Sequence, residues 1–476
     1  MWDIYFFGAG IKGKRWLKCL KEFGAKPNGF IDNNPSLWGN SYEEIPIYAP
    51  DRLKTHAFDY VAVTCGDEEV ICQQLLEMGI EEDKILFGYH RLRNYLFYYA
   101  SKNYIPKSFA MPKGIVNSKP KVLFDLQNGM VLGGVEAWSY ELAGQLKEQG
   151  IEGGYLTTDN TPAAFADKTY PAHVFRYRDC KEEKEILELS ANVIAENLPC
   201  TVICNFPQMI FWSACIAKKR YPKQVRIIAV QHSDDKTYYA AFGLWQESID
   251  RCLVISSYIE NRLIAYGMNR NKIMPIGWYV NCDKTLDRSW SKGELPLQIG
   301  YAGRVTVTLK RVDLLLEMTL KLRKKGICFC LNIAGTGNYA ETLDKRVHEE
   351  DLCDYINMTG YIERNKISDF WKKQDIMISC SEREGHSISQ YEAMAAGVVP
   401  VITDVSGARD DVMDGYNGFV VPVGDLDALV DRICVLSYNR EELEYIGKCA
   451  HKTIYERQQE MNQTAFWNRL LDEVWN

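Results

Sequence analysis

Two acidic and two basic side chains stand where an open α/β sheet would gather them. Glu384 follows the apolar run DIMIS, and Glu392 comes eight residues later in a helical pattern. Arg304 ends the apolar run LQIGYAG, and Lys310 follows six residues on. Open α/β sheets bind ligands at the carboxyl ends of their strands, and an Arg with a Lys suits phosphate oxygens. The pattern predicts one crevice that binds a diphosphate.

Three further elements could line the same crevice. Ser387 and Ile388 begin the helix after Glu384, where unpaired N–H groups suit a diphosphate. Gly133 and Gly134 precede an amphipathic helix, and a backbone without Cβ lets a substrate approach closely. His232 ends the apolar run RIIAVQ. These residues add donors and a close backbone approach to the predicted site.

Each of these signals also has a purely structural interpretation. Glu384 would be a solvated loop acid and Glu392 a surface helix acid. Arg304 with Lys310 would be a surface pair, the two glycines a bare turn, and His232 a hydrogen-bonded structural residue. The occurrence of all of them at strand ends of neighbouring units favours the ligand site.

A second candidate nucleotide site lies at the start of the chain. Gly8, Gly10 and Gly13 follow the apolar run DIYFF and open a helix, and Asp32 ends the next apolar run. This is the dinucleotide-binding fingerprint in its usual context. Two interpretations stay open: a domain that binds a nucleotide or sugar nucleotide, and a domain without a ligand that only docks.

The elements that position these residues form three α/β series. Short apolar runs alternate with helical patterns, which predicts parallel sheets. The predicted fold class is α/β, with two facing Rossmann-like domains preceded by a small additional Rossmann-like domain. The predicted bounds are 1–92 for the small domain, 93–120 for a helix and linker, 121–285 and 286–455 for the facing domains, and 456–476 for a terminal helix that crosses back.

Composition limits the classes of function. The chain has 476 residues, 46% of them hydrophobic and 25% charged, which is ordinary for globular domains. A net charge of −7 argues against nucleic acid as a partner. The fifteen cysteines have no framework spacing and the first residues lack the order of a signal peptide, so we expect a cytoplasmic protein with reduced thiols.

Taken together, these motifs resemble the retaining glycosyltransferase family 4, which has the two-domain GT-B architecture. The resemblance covers residues 121–476 and rests on four matches. They are the Glu384 to Glu392 signature ending in Ala393-Met394-Ala395-Ala396-Gly397, Gly303-Arg304 with Lys310, Gly133-Gly134-Val135-Glu136, and Ala334-Gly335-Thr336-Gly337. The first domain is similar to small Rossmann-like domains attached to sugar-modifying enzymes of surface polysaccharide pathways.

The resemblance implies a role for each matched residue. Arg304 and Lys310 would bind the diphosphate of a nucleotide sugar, with Ser387 and Ile388 at the helix start. Glu392 would bind the ribose and Glu384 the donor sugar. His232 would lie close to the transferred sugar, and Gly133 and Gly134 would approach donor and acceptor. The implied activity is retaining, metal-independent hexosyl transfer, from a UDP-sugar by preference or a GDP-sugar, to a glycan or lipid-linked acceptor.

Several departures and alternatives remain open at the sequence level. His386 and Ser387 replace the usual Phe-Gly, and IGWYVNCDK replaces the usual domain crossing. The basic and aromatic residues 91–107 are compatible with a peripheral contact at the inner face of a membrane, or with packing between domains. The alternative functions are an NAD(P)-dependent oxidoreductase that uses the first domain and a non-catalytic GT-B scaffold. Asp425 is predicted to cap a helix rather than to bind a metal.

Overall fold

The computed structural model describes residues 3–101, 104, 119–130, 133–158, 168–180, 182–277, 280, 282–460 and 462–476. Within them the chain forms three sheets of six, seven and six strands. Most strands are short apolar runs in which the majority of residues are buried, as expected for parallel strands covered by helices on both faces. The predicted α/β class with three units is confirmed.

The first unit is a six-stranded sheet in the order β3-β4-β2-β1-β5-β6, parallel except for the pair β3 and β4. Helix α4 follows it. The elements are β1 (Ile4–Phe7), α1 (Ile11–Glu22), β2 (Gly29–Ile31), β3 (Ser41–Tyr42), β4 (Ile45–Tyr48), α2 (Arg52–Thr55), β5 (Tyr60–Val63), α3 (Glu68–Glu77), β6 (Ile85–Leu86) and α4 (Tyr89–Ser101).

The second and third units are called the acceptor-side and donor-side domains after the roles that the resemblance leads us to expect. The second unit is a parallel sheet in the order β13-β12-β11-β10-β7-β8-β9. Its elements are β7 (Lys121–Leu126), α5 (Gly134–Glu148), β8 (Gly153–Thr158), β9 (Ala172–Phe175), α6 (Glu183–Glu196), β10 (Cys200–Cys204), α7 (Met209–Arg220), β11 (Val225–Gln231), α8 (Lys236–Leu244), β12 (Arg251–Val254), α9 (Ser257–Ala265) and β13 (Ile273–Pro275).

The third unit, the donor-side domain, is a parallel sheet in the order β16-β15-β14-β17-β18-β19. Its elements are β14 (Leu297–Ala302), α10 (Asp313–Lys324), β15 (Phe329–Ala334), α11 (Ala340–Glu349), β16 (Ile356–Gly360), α12 (Ile367–Trp371), β17 (Ile376–Ser379), α13 (Ile388–Ala395), β18 (Val399–Thr403), α14 (Ala408–Asp411), β19 (Phe419–Val421) and α15 (Leu426–Tyr438). Two helices end the chain, α16 (Arg440–Glu460) and α17 (Gln463–Trp475).

Helix α4 joins the first unit to the acceptor-side domain. Phe97 is buried and packs edge-on against Trp212 at 4.9 Å, and the Trp212 indole donates to the Asn94 side chain at 3.0 Å. Arg93 forms an ion pair with Glu183. These side chains pack between domains and are not available to a membrane surface. Residues 102–103 and 105–107 of the same predicted segment lie outside the described residues.

The last helix returns to the acceptor-side domain. Trp467 is buried, with its ring centroid 6.0 Å from that of Trp138 in α5. The Trp475 indole donates to the Thr201 hydroxyl at 2.9 Å. Helix α17 therefore fastens the donor-side end of the chain to the acceptor-side sheet. Over the described residues, every helix is too short or too polar to cross a membrane.

Candidate functional site

The predicted cation and carboxylate meet at the carboxyl edge of the donor-side sheet. Strands β14 and β17 are neighbours, so the loops that follow them lie side by side. The Lys310 ammonium donates to Glu384 Oε1 at 2.6 Å, and the Ser381 hydroxyl donates to the same oxygen at 2.6 Å. Only 20% of the Lys310 side chain and 9% of the Glu384 side chain are exposed. The pair is a partly buried ion pair.

The backbone around Lys310 is held in an unusual conformation. Leu309 and Arg311, on either side of it, have φ values of 68° and 50°, in the left-handed region that L-residues avoid. Arg311 pairs with Asp313 at 3.0 Å and with Glu382 at 2.5 Å. Such backbone strain persists where surrounding contacts enforce it, and it is common at functional sites. These ion pairs fix the loop that aims Lys310 at Glu384.

The charge state of Glu384 follows from two opposed effects. Burial by itself would raise the pKa of this carboxyl, because the charged form loses solvent. The charge and hydrogen bond of Lys310, together with the bond from Ser381, outweigh burial and lower the pKa below its ordinary value. Glu384 is therefore a carboxylate at neutral pH.

Arg304 lies on the loop after β14, and this loop is packed against a turn that requires two glycines. A Cβ on Gly335 would lie 1.8 Å from the carbonyl oxygen of Gly303, and a Cβ on Gly337 would lie 2.2 Å from that of Val305. Gly335 also has a φ of 139°. The glycine turn after β15 thus packs directly on the loop after β14, and it holds the exposed Arg304 at the sheet edge.

Glu392 is held by an arginine that the sequence did not indicate. Arg364 donates to Glu392 Oε1 at 3.1 Å and to Glu141 Oε2 at 3.2 Å. Burial raises the pKa of Glu392, and the charge of Arg364 opposes that rise. Because Glu141 lies on α5 of the other domain, Arg364 spans the two domains through two carboxylates.

The starts of two helices meet across the cleft. A Cβ on Gly134, the first residue of α5, would lie 3.5 Å from the side chain of Ile388, the first residue of α13. Ser387 is the N-cap residue of α13. A Cβ on Gly133 would lie 2.2 Å from the carboxylate of Glu136, which is buried against this loop. The structure therefore brings together Gly133, Gly134, Ser387 and Ile388.

His232 lies at the carboxyl edge of the acceptor-side sheet, directly after β11. It is buried, its Nε2 is 2.8 Å from Asn205 Oδ1, and its ring stands edge-on to Trp138 at 5.1 Å. Burial lowers the pKa of His232 to about 3. A Cβ on Gly385 would lie 1.8 Å from the His232 carbonyl oxygen. The backbone of His232 thus packs against the residue that follows Glu384.

His386 makes contacts that sequence reasoning missed. Its Nδ1 lies 2.7 Å from the carbonyl oxygen of Ile255 in the acceptor-side domain, and its Nε2 lies 2.6 Å from Asp411 Oδ2. Beside it, Asp410 accepts from the backbone N–H and the hydroxyl of Ser257, both at 2.7 Å. The one available signal was the departure from Phe at His386. These contacts link the domains behind the cleft.

The N-terminal fingerprint forms a close helix–strand junction. A Cβ on Gly13 would lie 2.0 Å from the Gly8 carbonyl oxygen, whereas nothing lies within 4 Å of the Cβ position of Gly10. Asp32 accepts from the backbone N–H groups of Ala9 and Asn34, both at 2.9 Å. Asp32 thus braces the glycine loop, and its predicted role toward a ribose stays a prediction.

Metal-ligand geometry is not seen in the described part of the chain. No group of three or more His, Cys, Asp or Glu side chains there could hold a metal ion. The Asp425 carboxylate accepts from the backbone N–H of Ala428 at 2.9 Å, so the predicted helix cap is confirmed.

Comparisons with protein families match each unit separately. Residues 132–284 match the model "Glycosyltransferase Family 4", and residues 283–453 match "Glycosyl transferases group 1". Residues 2–86 match "C2185-like, N-terminal".

Two curated relatives match over a little less than half of this chain. The putative colanic acid biosynthesis glycosyltransferase WcaL of Salmonella typhimurium is 28% identical over 47% of this chain and 55% of its own length. The amylovoran biosynthesis glycosyltransferase AmsK of Erwinia amylovora is 25% identical over 46% of this chain and 54% of its own. The chain thus spans about half the length of these relatives.

Solved structures share the fold at low sequence identity. Anabaena HepE in complex with UDP and glucose superposes with a TM-score of 0.59 at 16% identity, over 75% of this chain and 99% of its own. The lipopolysaccharide outer core galactosyltransferase WaaB gives 0.56 at 20% identity, over 70% and 94%. These neighbours show that this part of the chain has the fold of GT-B glycosyltransferases, and residues 132–453 within it match the Family 4 model and then the group 1 model.

Proposed function

We propose that the protein transfers a sugar from a nucleotide diphosphate sugar to an acceptor hydroxyl, with retention of configuration and without a metal ion. The observation that carries the proposal is the Lys310–Glu384 ion pair at 2.6 Å. Lys310 shares its loop with Arg304, and the loop of Glu384 leads into α13, whose first residue faces the first residue of α5. Cations and helix N-termini converge on one edge of the sheet. That arrangement fits a ligand with a diphosphate in its middle.

The chemistry follows from where charge develops. Cleavage of the bond between sugar and phosphate builds negative charge on the leaving diphosphate and positive charge on the anomeric carbon. Arg304, Lys310 and the amides of Ser387 and Ile388 would stabilise the diphosphate, which fixed donors do efficiently because they need no reorganisation. Glu384, a carboxylate held by Lys310, would orient hydroxyls of the donor sugar.

The other residues of the cleft would contact the ribose, the transferred sugar and the acceptor. Glu392 would accept from the ribose hydroxyls, in place of its bond to Arg364. The attacking acceptor hydroxyl would approach on the face that the diphosphate leaves, which retains configuration and gives the proton to a phosphate oxygen. His232 and the Gly133-Gly134 loop would lie beside the sugar.

The biological setting is proposed from the relatives. WcaL and AmsK carry names from colanic acid and amylovoran biosynthesis, and WaaB from lipopolysaccharide outer core synthesis. We therefore propose a glycan or lipid-linked acceptor in surface polysaccharide or glycoconjugate synthesis. UDP is the favoured donor nucleotide because HepE was solved with UDP and glucose, and GDP is the alternative.

A binding panel tests the proposal. UDP-, GDP-, ADP- and dTDP-sugars are titrated by calorimetry with and without EDTA. We expect the sugars of one nucleotide to bind, with the same affinity whether or not EDTA is present. Arg304→Ala and Glu392→Gln should each weaken that binding, whereas Asp32→Asn should leave it unchanged. Binding that is lost only in Asp32→Asn, or binding of NAD alone, would move the nucleotide site to the first unit and refute the proposal.

A further inference from the structure

His386 lies in the loop between Glu384 and helix α13, and its ring is buried between the two domains. Only 1% of its side chain and 1% of the Asp411 side chain are exposed. Nδ1 lies 2.7 Å from the backbone carbonyl oxygen of Ile255, and Nε2 lies 2.6 Å from Asp411 Oδ2. Both ring nitrogens therefore face an oxygen atom at hydrogen-bond distance, one in each domain.

These two contacts determine how many protons the pair of His386 and Asp411 holds. A backbone carbonyl oxygen only accepts hydrogen bonds, so Nδ1 must carry a hydrogen. A neutral ring with that hydrogen has a lone pair on Nε2, and a carboxylate oxygen also offers only lone pairs, so the two could not bond at 2.6 Å. One further proton must therefore lie between Nε2 and Oδ2.

Burial favours sharing this proton over a charge on the ring alone. Burial is the largest influence on His386 and lowers the pKa of the ring to about 4. The charge of Arg457 acts in the same direction, whereas the carboxylates of Asp410 and Glu384 favour the protonated ring. A proton shared with Asp411 avoids the cost of burial, because it can lie nearer to the oxygen and leave both groups uncharged.

The pair also holds the loop that carries the proposed ligands of the donor. Asp411 accepts from the hydroxyl of Tyr391, the fourth residue of α13, at 2.7 Å, so one carboxyl group binds both the loop and the first turn of the helix. At the other end of the loop, the Ser406 hydroxyl donates to the backbone carbonyl oxygen of Glu384. The position of Glu384 and of the start of α13 therefore depends on the contacts of His386.

We propose that His386 and Asp411 are a positioning pair, which uses one shared proton to tie the loop of Glu384 to the end of β12 in the acceptor-side domain. The inference deepens the proposed function and rests on it for the reaction that this loop serves. Neither residue is assigned a contact with substrate. A Phe in place of His386 would fill similar space but make neither hydrogen bond, so the contact is directional only with the His.

The experiment compares the native protein with four variants. His386→Phe keeps a ring and removes both hydrogen bonds. Asp411→Asn keeps the bridge, because its amide NH2 can donate to the lone pair of a neutral ring, whereas Asp411→Leu has a similar volume and cannot. The control Asp410→Ala removes a different contact between the domains, the two bonds to Ser257.

Proton NMR and kinetics provide separate readouts. The native protein should show two far-downfield proton signals that vanish in His386→Phe, one from Nδ1–H and one from the shared proton. His386→Phe and Asp411→Leu should lower turnover about tenfold to hundredfold, the effect of a misplaced loop in the site. Affinity for the free nucleoside diphosphate should fall less than about fivefold, because Arg304 and Lys310 are unchanged. Asp411→Asn and Asp410→Ala should keep turnover within about threefold of the native value.

Four results would overturn the inference. They are a single downfield signal from His386, full turnover in a folded His386→Phe, equal losses in Asp411→Asn and Asp411→Leu, and an equal loss in Asp410→Ala. Should His386→Phe not fold, Asp411→Leu identifies the shared proton, because it removes that signal and keeps Nδ1–H. If the native protein turns over no nucleotide sugar, the proposed function fails, whereas the number of downfield signals still decides whether the pair shares a proton.

Discussion

Replacing Lys310 with Met should lower both the stability of the protein and its turnover, and a second variant can separate the two losses. At 2.6 Å and an effective dielectric constant of about 20, the gross attraction between Lys310 and Glu384 is about 6 kcal/mol. Removing one partner of a buried pair costs on the order of 3–5 kcal/mol, because the other charge stays buried. For a domain of this size that corresponds to a lower thermal midpoint by about 10 °C.

The double variant Lys310→Met/Glu384→Gln separates the two effects. It has no buried charge left to compensate, so the thermal midpoint should return most of the way to that of the native protein. Turnover should stay about 10²-fold to 10³-fold below the native value, because a donor to the leaving group is still absent. Equal loss of stability in the single and double variants would contradict the ion-pair account.

The pH dependence of the Lys310→Met variant gives a further check. In the native protein, Lys310 lowers the pKa of Glu384, so the stabilisation is present above the unfolded pKa and is lost as pH falls through the folded one. Without Lys310, burial raises the pKa of Glu384 above its value in the unfolded chain. The variant therefore loses stability as pH rises from the unfolded pKa toward the raised pKa of the folded state. The difference in thermal midpoint between native protein and variant should therefore grow from pH 5 to pH 8. A difference that is constant with pH would refute the reasoning.

Three other variants test the contacts between domains. Gly385→Ala should reduce turnover more than tenfold, because its Cβ would lie 1.8 Å from the His232 carbonyl oxygen. The control Gly144→Ala should keep native turnover, because its Cβ meets nothing within 4 Å. Equal turnover in both variants would contradict this expectation. Arg364→Gln should change nucleotide affinity less than about fivefold in calorimetry, since exposed ion pairs contribute about 0–1 kcal/mol; a larger loss would make Arg364 a direct nucleotide ligand. Trp467→Ala should lower the free energy of unfolding by about 3–5 kcal/mol in urea titrations, and an unchanged midpoint would argue that α17 does not fasten the domains.

The residues at the ends of single strands could be predicted from the sequence. Glu384 and Lys310 each follow an apolar run, and parallel strands place their carboxyl ends at one edge, so their meeting follows from strand pairing alone. The glycine turn at Gly335 is also local, since its φ of 139° and its contact with Gly303 require a residue without Cβ.

The contacts between domains could not be predicted in this way. Arg364 reaches Glu141, and His386 reaches Ile255, across sequence separations of more than a hundred residues. Hydrophobic periodicity identifies elements, but it carries no information about how two domains face each other. The contacts of Asn205 escaped notice for a similar reason, because its partners lie on strand β7, directly after strand β11 and on helix α5. They are Asp125, His232 and Ser139.

The central claim is that the cleft around Lys310 and Glu384 transfers the sugar of a nucleotide sugar with retention. The most direct measurement follows the donor that binds best by proton NMR, with the native protein and with Lys310→Met/Glu384→Gln as the matched inactive variant. We predict that the native protein consumes the donor, with water taking the sugar where no glycan acceptor is added, and that the first-formed free sugar has the anomeric configuration of the donor. The variant should leave nearly all of the donor intact over the same time. A product of inverted configuration, or equal consumption by both proteins, would contradict the account.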